Sequence, residues 1–212
     1  MIMRTFGVSV VVGLLAGCGS VHGPATKYYK LDLPTAPTPA GPSVPVSIRI
    51  EPFQTTSLLR QDRIVYRPSP VEVGFYEYHR WAEPPNDTVT KAIADQLIRR
   101  RVFQSVEISD GGERADYVLR GSIDRLQEVD YIGAVRVQVS ISAELEDPVR
   151  RQKIWSSAAS SECVVAKSDV QAVVAAMGQA SQQSIGQLVM DVAKFVQLNR
   201  IAAVSNTAER YR

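Results

Sequence analysis

Two cysteines, two histidines and a run of three arginines are the side chains whose type and spacing could do chemistry. Cys18 directly follows Leu15, Ala16 and Gly17, the last two being small residues that a peptidase accepts. Ahead of them lie Arg4 and an apolar run at 8–15 broken only by Ser9 and Gly13. That is the layout of a secretory signal peptide, and the run is too short to span a bilayer, which takes roughly 20 apolar residues. Cys163, within Ser161-Glu162-Cys163-Val164-Val165, reads as a small buried hydrophobe on a strand. A nucleophilic thiol needs a paired base. His22 lies in the segment after Cys18 and His79 lies beside Arg80, so neither is expected next to Cys163. Glu72, Glu77 and Glu83 are scattered along a strand and its exit, which suits a solvated face better than an acid/base pair. Asp110-Gly111-Gly112 has no following helix pattern to cradle a phosphate and reads as a turn. No zinc-ligand cluster, phosphate loop, nucleotide fingerprint or nucleophile elbow occurs in the sequence. No catalytic residue, metal ligand or cofactor site is therefore assigned.

The tetrad ending in Cys18 resembles the lipobox of bacterial lipoproteins. That resemblance implies a diacylglyceryl thioether on Cys18, cleavage before it, and anchoring by acyl chains worth about 0.8 kcal/mol per buried methylene. The covalent lipid on Cys18 would be the only prosthetic group. Gly19 stands where an aspartate commonly retains such proteins at the inner membrane, so the expected location is the periplasmic face of the outer membrane. Residues 1–17 are then the signal peptide and 18–26 a lipidated tether. At about 3 Å per residue the tether keeps the body within some 25 Å of the membrane.

A chain of 212 residues, 45% hydrophobic and 22% charged, suits one domain with a real core. A net charge of +2 provides no broad field to attract nucleic acid. The expected fold is α+β, a single domain over 27–200. It consists of a mostly antiparallel sheet with two main helices packed on one face. Residues 201–212 are polar and aperiodic, the pattern of a disordered tail.

The elements that must position any site follow from periodicity. Tyr28 to Leu33 alternates as a short first strand, and residues 34–42 are a proline loop. Val46, Ile48 and Ile50 recur at period two within 44–53. Residues 62–67 and 71–78 form a hairpin around Pro68-Ser69-Pro70. A helix capped by Asn86 or Asp87 carries Val89, Ile93 and Leu97 on one side and ends at Arg99-Arg100-Arg101. These three cations either complement the helix macrodipole or contact anionic lipid headgroups or an acidic partner. A short strand at 103–108 follows. In 116–130 the alternation slips phase before Leu126, which predicts a bulge. Residues 134–146 alternate cleanly as an amphipathic antiparallel strand, and 153–165 make the last strand. A final helix, capped by Ser168-Asp169, bears an apolar stripe from Val170 to Val196 that reads as core. Its Gly178 and Gly186 mark close packing or a bend.

With these elements placed, the chain resembles the ABC-type transport auxiliary lipoprotein family, of the PqiC-like kind. The residues that carry the resemblance are Tyr29-Lys30-Leu31, Arg63-Ile64-Val65-Tyr66-Arg67, and Tyr76 through Pro85 with its Arg80-Trp81-Ala82-Glu83-Pro84-Pro85 exit. It extends from Cys18 to about Val196. The resemblance implies a periplasmic accessory to an MCE-type lipid transport system, working beside an MCE-domain protein and ABC transporter components. Its role is binding and positioning, with no enzymatic step. A homo-oligomeric ring matching the MCE rings is a further implication. Tyr76, Tyr78, Arg80 and Trp81 then either pack under the following helix or line a partner interface. The rival reading is an outer-membrane assembly or structural lipoprotein that supports protein or lipopolysaccharide insertion.

Overall fold

The computed structural model describes residues 23–33, 43–111, 114–131, 133–166 and 169–210, with side chains described through 199. Cys18, His22, the proline loop at 34–42 and Ser168 fall outside the described residues.

The chain folds as one α+β domain. Its strands are β1 (Lys27–Tyr29), β2 (Val44–Ile50), β3 (Gln54–Thr55), β4 (Arg63–Arg67), β5 (Gly74–Trp81), β6 (Phe103–Ile108), β7 (Tyr117–Val129), β8 (Arg136–Asp147) and β9 (Gln152–Val164). The helices are α1 (Pro85–Arg99) and α2 (Val170–Arg210). The three longest strands, β7, β8 and β9, pair antiparallel in chain order, and β4 pairs antiparallel with β5. Every parallel pairing involves a short N-terminal strand. With β8 along one edge of β7, the other edge is shared end to end by β2, β3 and β4, which pair with residues 117–119, 122–123 and 127–129. Residues 44–67 thus run beside β7 as one interrupted strand. Pro52, which has no N–H to donate, breaks it first, and a 3-10 turn at Ser57–Arg60 breaks it again. β6 pairs parallel with β2, and β1 pairs parallel with β5 at the opposite margin.

β8 shows why its sequence pattern is so regular. Val137, Val139, Ile141, Ala143 and Leu145 are buried while the residues between them are partly exposed, because helices cover only one face of the sheet. The phase slip in β7 is a bulge at Asp124, between Ile123 paired with Ile141 and Arg125 paired with Ser140. It returns Leu126 to the core side.

Ile93 of α1 and Leu188, Val189 and Val192 of α2 converge on Phe53, Leu119 and Ala143, so both helices lie against one face of the sheet. The stripe of α2 is core: Val173, Met177, Ile185, Leu188, Val189, Val192 and Val196 are all buried. Burying each such side chain is worth about 1.5–3 kcal/mol. α2 opens with Asp169, whose Oδ1 accepts from the Ala172 amide at 2.7 Å. The helix runs on to Arg210, through the stretch whose composition suggests a tail. Ala202, Ala203 and Ala208 favour helix there, a propensity that aperiodicity of the apolar pattern does not report.

α1 starts earlier than its sequence suggests. Pro85 is its first residue and Pro84 its N-cap, with no side-chain cap, so neither Asn86 nor Asp87 takes that role. Proline at N1 has its φ preset and lacks an amide that would have been unpaired anyway.

Candidate functional site

β5 carries the residues singled out by sequence, and its pairing with β4 determines where they point. Val65 pairs with Phe75 and Arg63 with Arg80, so three extra residues of β5 are accommodated between two rungs. The strand bulges there and regular alternation fails. Tyr76 and His79, three apart and on opposite faces of a regular strand, consequently meet with ring centroids 5.5 Å apart, edge to face. The cluster extends both ways. Tyr66 packs on Tyr76 at 5.1 Å, and Tyr29 of β1 packs on His79 at 5.5 Å, its hydroxyl 2.9 Å from His79 Nδ1. Gly74, paired with Tyr66, leaves the strand surface open beneath that ring, since a Cβ there would lie 2.2 Å from it. At the inner end the Tyr76 hydroxyl donates to Glu128 Oε2 at 2.7 Å. Glu128 is 6% exposed. Burial, with Asp130 adding to it, pushes the Glu128 carboxyl above the usual glutamate range even though the Tyr76 bond favours the charged form. Burial and the same carboxylate push the Tyr76 phenol up.

The four residues therefore separate. Trp81 is 6% exposed and belongs to the core, and Tyr76 is half-buried in the aromatic cluster. Tyr78 and Arg80 stay partly exposed. Arg80 Nη1 donates to both oxygens of Asp62 at 2.9 and 2.7 Å, and Tyr78 bonds to Glu77, which raises its phenol. Tyr28, 65% exposed, pairs in register with Arg80. Exposed aromatic and guanidinium surface at the β1–β5 margin is thus Tyr28, Tyr78 and Arg80, while Trp81 and Tyr76 hold the margin to the body. Sequence reasoning missed Tyr29, Tyr66, His79 and Glu128. Their juxtaposition depends on the bulge and on a parallel pairing, and no local pattern encodes either.

The three arginines also part company. Arg99 ends α1 and lines a groove against α2, Arg100 is partly buried, and Arg101 takes a left-handed φ of 50° as the chain turns into β6. Cys163 sits on β9 opposite Val137, partly buried and unpaired as a disulfide, and burial pushes its thiol up, opposite to what a nucleophile needs. Among the described residues no cluster of His, Cys, Asp and Glu could hold a metal ion, and no helix is long and apolar enough to cross a membrane. Glu72 and Glu77 are exposed, and Glu83 meets Lys30 at 3.7 Å.

A helix-backed sheet of this kind has solved counterparts. Protein XCC0632 from Xanthomonas campestris shares 20% identity at a TM-score of 0.74, over 82% of this chain and 99% of that one. An uncharacterized protein shares 16% identity at a TM-score of 0.62, over 80% and 99%. A PelC dodecamer from Paraburkholderia phytofirmans is 12% identical over 69% and 92%, with a TM-score of 0.42 that is too low to inform on assembly. These likenesses define the fold. The family comes from the sequence: the model of the ABC-type transport auxiliary lipoprotein component matches residues 29–189, and the chain belongs to that family. No curated protein matches the sequence.

Proposed function

We propose that this chain is the outer-membrane-anchored accessory of an ABC-type lipid transport system, held by lipid on Cys18 and docking an MCE-domain protein. Its work is binding and positioning. The observation that carries this reading is the family match from Tyr29, beside the tether, to Val189 in α2, which takes in every strand and α1. Two features of the body support it. The β1–β5 margin follows directly on the tether, so a partner docked there is held close to the membrane that carries the anchor. That margin also presents Tyr28, Tyr78 and Arg80, the residue types that anchor protein interfaces. The aromatic cluster and Trp81 keep the margin rigid, which lowers the ordering cost of docking. A ring of several copies would match a ring-shaped partner.

The test is binding of the full-length chain, in non-ionic detergent, to the purified MCE-domain protein from the same genome. A complex weakened by Arg80→Ala and Tyr78→Ala supports the proposal. Absence of any complex over a micromolar concentration range opposes it.

A further inference from the structure

Strand register sorts the exposed apolar loop tips between the two ends of the sheet. Arg67 of β4 pairs with Val129 of β7, Val129 with Arg136 of β8, and Arg136 with Val164 of β9, so these four close one end. Gly74, the first residue of β5, pairs with Tyr66 at that same end. The β4–β5 loop and the turn after β7 therefore project from it together, with Val71 92% exposed and Tyr131 and Val164 exposed beyond the strands. The β4–β5 loop is built for apolar surroundings. Pro68 and Pro70 have no amide to desolvate, the Pro70 carbonyl accepts from Arg67 Nη2, and the Glu72 amide donates to Ser69 Oγ at 3.1 Å. At the opposite end stands the β8–β9 hairpin, where Val149 is 78% exposed next to Arg150 and Arg151.

The direction of β1 decides between these ends. β1 runs parallel to β5, with Lys27 beside His79 and Tyr29 beside Trp81, so the tether enters it from the Gly74 end. Tyr28 and Arg63 both pair with Arg80, which sets β1 level with the start of β4. β4 has 5 residues, so the Val71 end lies about 16 Å away, on the side from which the tether comes. β8 has 12 residues and spans about 40 Å, which leaves the β8–β9 hairpin about 24 Å away on the other side. A tether of about 25 Å reaches past the first end, and would have to double back to bring the hairpin to a membrane.

We infer that the end bearing Val71 and Tyr131 faces the membrane, and that both side chains enter the interface of the phospholipid layer that holds the anchor. Arg67 and Arg136 stand there among Glu72, Asp130 and Glu162, so this end is no basic patch and its contact needs no anionic lipid. Tyrosine suits the headgroup level, and valine the acyl boundary beneath it. Two side chains do not bind a membrane by themselves; they orient a body that the lipid already holds, with the β8–β9 hairpin turned away. The inference rests on the lipid on Cys18 and adds to it the face that the body turns to the membrane.

The experiment places the full-length chain, recovered from membranes, in vesicles of phosphatidylcholine and phosphatidylethanolamine. A nitroxide is attached at Val71→Cys, Tyr131→Cys or Val149→Cys, each combined with Cys163→Ser, and its collisions with oxygen and with a water-soluble nickel chelate are measured. At 71 and 131 oxygen collisions should exceed nickel collisions, and at 149 the order should be reversed. Adding phosphatidylglycerol should change none of the three. Val71→Glu, at an exposed site, should return nickel access to the label at 131 while the chain melts as wild type does. Labels at 71 and 131 as open to nickel as the one at 149, on a chain that stays with the vesicles, overturn the inference and leave the anchor standing. Insertion at 149 instead, or insertion only with phosphatidylglycerol present, overturns it too. A chain whose mass shows no lipid on Cys18 and which sediments apart from the vesicles overturns the anchor, and the inference falls with it.

Discussion

Gly178 and Gly186 lie on the same helix eight residues apart, and replacing each with alanine is expected to move stability in opposite directions. Nothing lies within 4 Å of a Cβ built on Gly186, so Gly186→Ala gains only the helix propensity difference, about 0.8–1.0 kcal/mol. For a domain of this size that raises Tm by about 2–4 °C. A Cβ on Gly178 would sit 2.4 Å from the backbone carbonyl oxygen of Asp32. A carbonyl cannot swing aside as a flexible side chain can, so the segment after β1 must lift from α2 and loosen Leu31, now 3% exposed. Overpacking of this kind costs about 1–3 kcal/mol. Part of the Leu31 burial, worth at most about 1.5–3 kcal/mol, is lost with it. After the same propensity gain, a net loss of about 1–3 kcal/mol and a fall in Tm of about 2–12 °C are expected. Thermal and urea denaturation of both variants and of the double variant provide the assay. The sites are about 12 Å apart along the helix, so their effects should add. If Gly178→Ala melts above wild type as Gly186→Ala does, the contact between α2 and Asp32 is not the reason for a glycine at 178.

Glu128 has a folded pKa above its unfolded one, so its contribution to stability is fully present below the ordinary glutamate pKa and is lost as pH rises through the raised value. Glu128→Gln should therefore gain on wild type, by urea midpoint, as pH climbs from about 4 to 7; a variant that loses ground to wild type over that range would contradict the burial argument. Trp81→Ala should cost about 3–5 kcal/mol as a core cavity, whereas Tyr78→Ala should stay within about 0.5 kcal/mol. Similar melting of the two would mean that Trp81 does not pack in the core. Cys18→Ser should abolish palmitate incorporation, and labelling that persists would remove the anchor.

Elements whose signal is local were legible in the sequence. The alternation of β8 and the stripe of α2 each report burial on one side, and the phase slip before Leu126 marked the bulge in β7 because one inserted residue shifts every later side chain. Pairing partners were not legible. Placing β2, β3 and β4 end to end along β7 joins residues about 60–70 apart in sequence, and short parallel strands carry no turn signal to announce their neighbours. The candidate site suffered most from this. Tyr76 and Trp81 were singled out as aromatic, but only the three-residue bulge in β5 decides that Tyr76 turns in toward His79 and Glu128 while Tyr78 and Arg80 stay at the surface. Lys91 and Asp95 of α1 carried no sequence signal, and that they share a groove with Arg99 emerges only once α2 and Asp32 close its other side.

In-cell crosslinking at native expression, followed by purification of the chain and identification of what is bound, tests the central claim most directly. An MCE-domain protein and its transporter components, recovered with wild type and depleted with Cys18→Ser, are the result this account predicts. Recovery of outer-membrane protein or lipopolysaccharide insertion machinery in their place would contradict it.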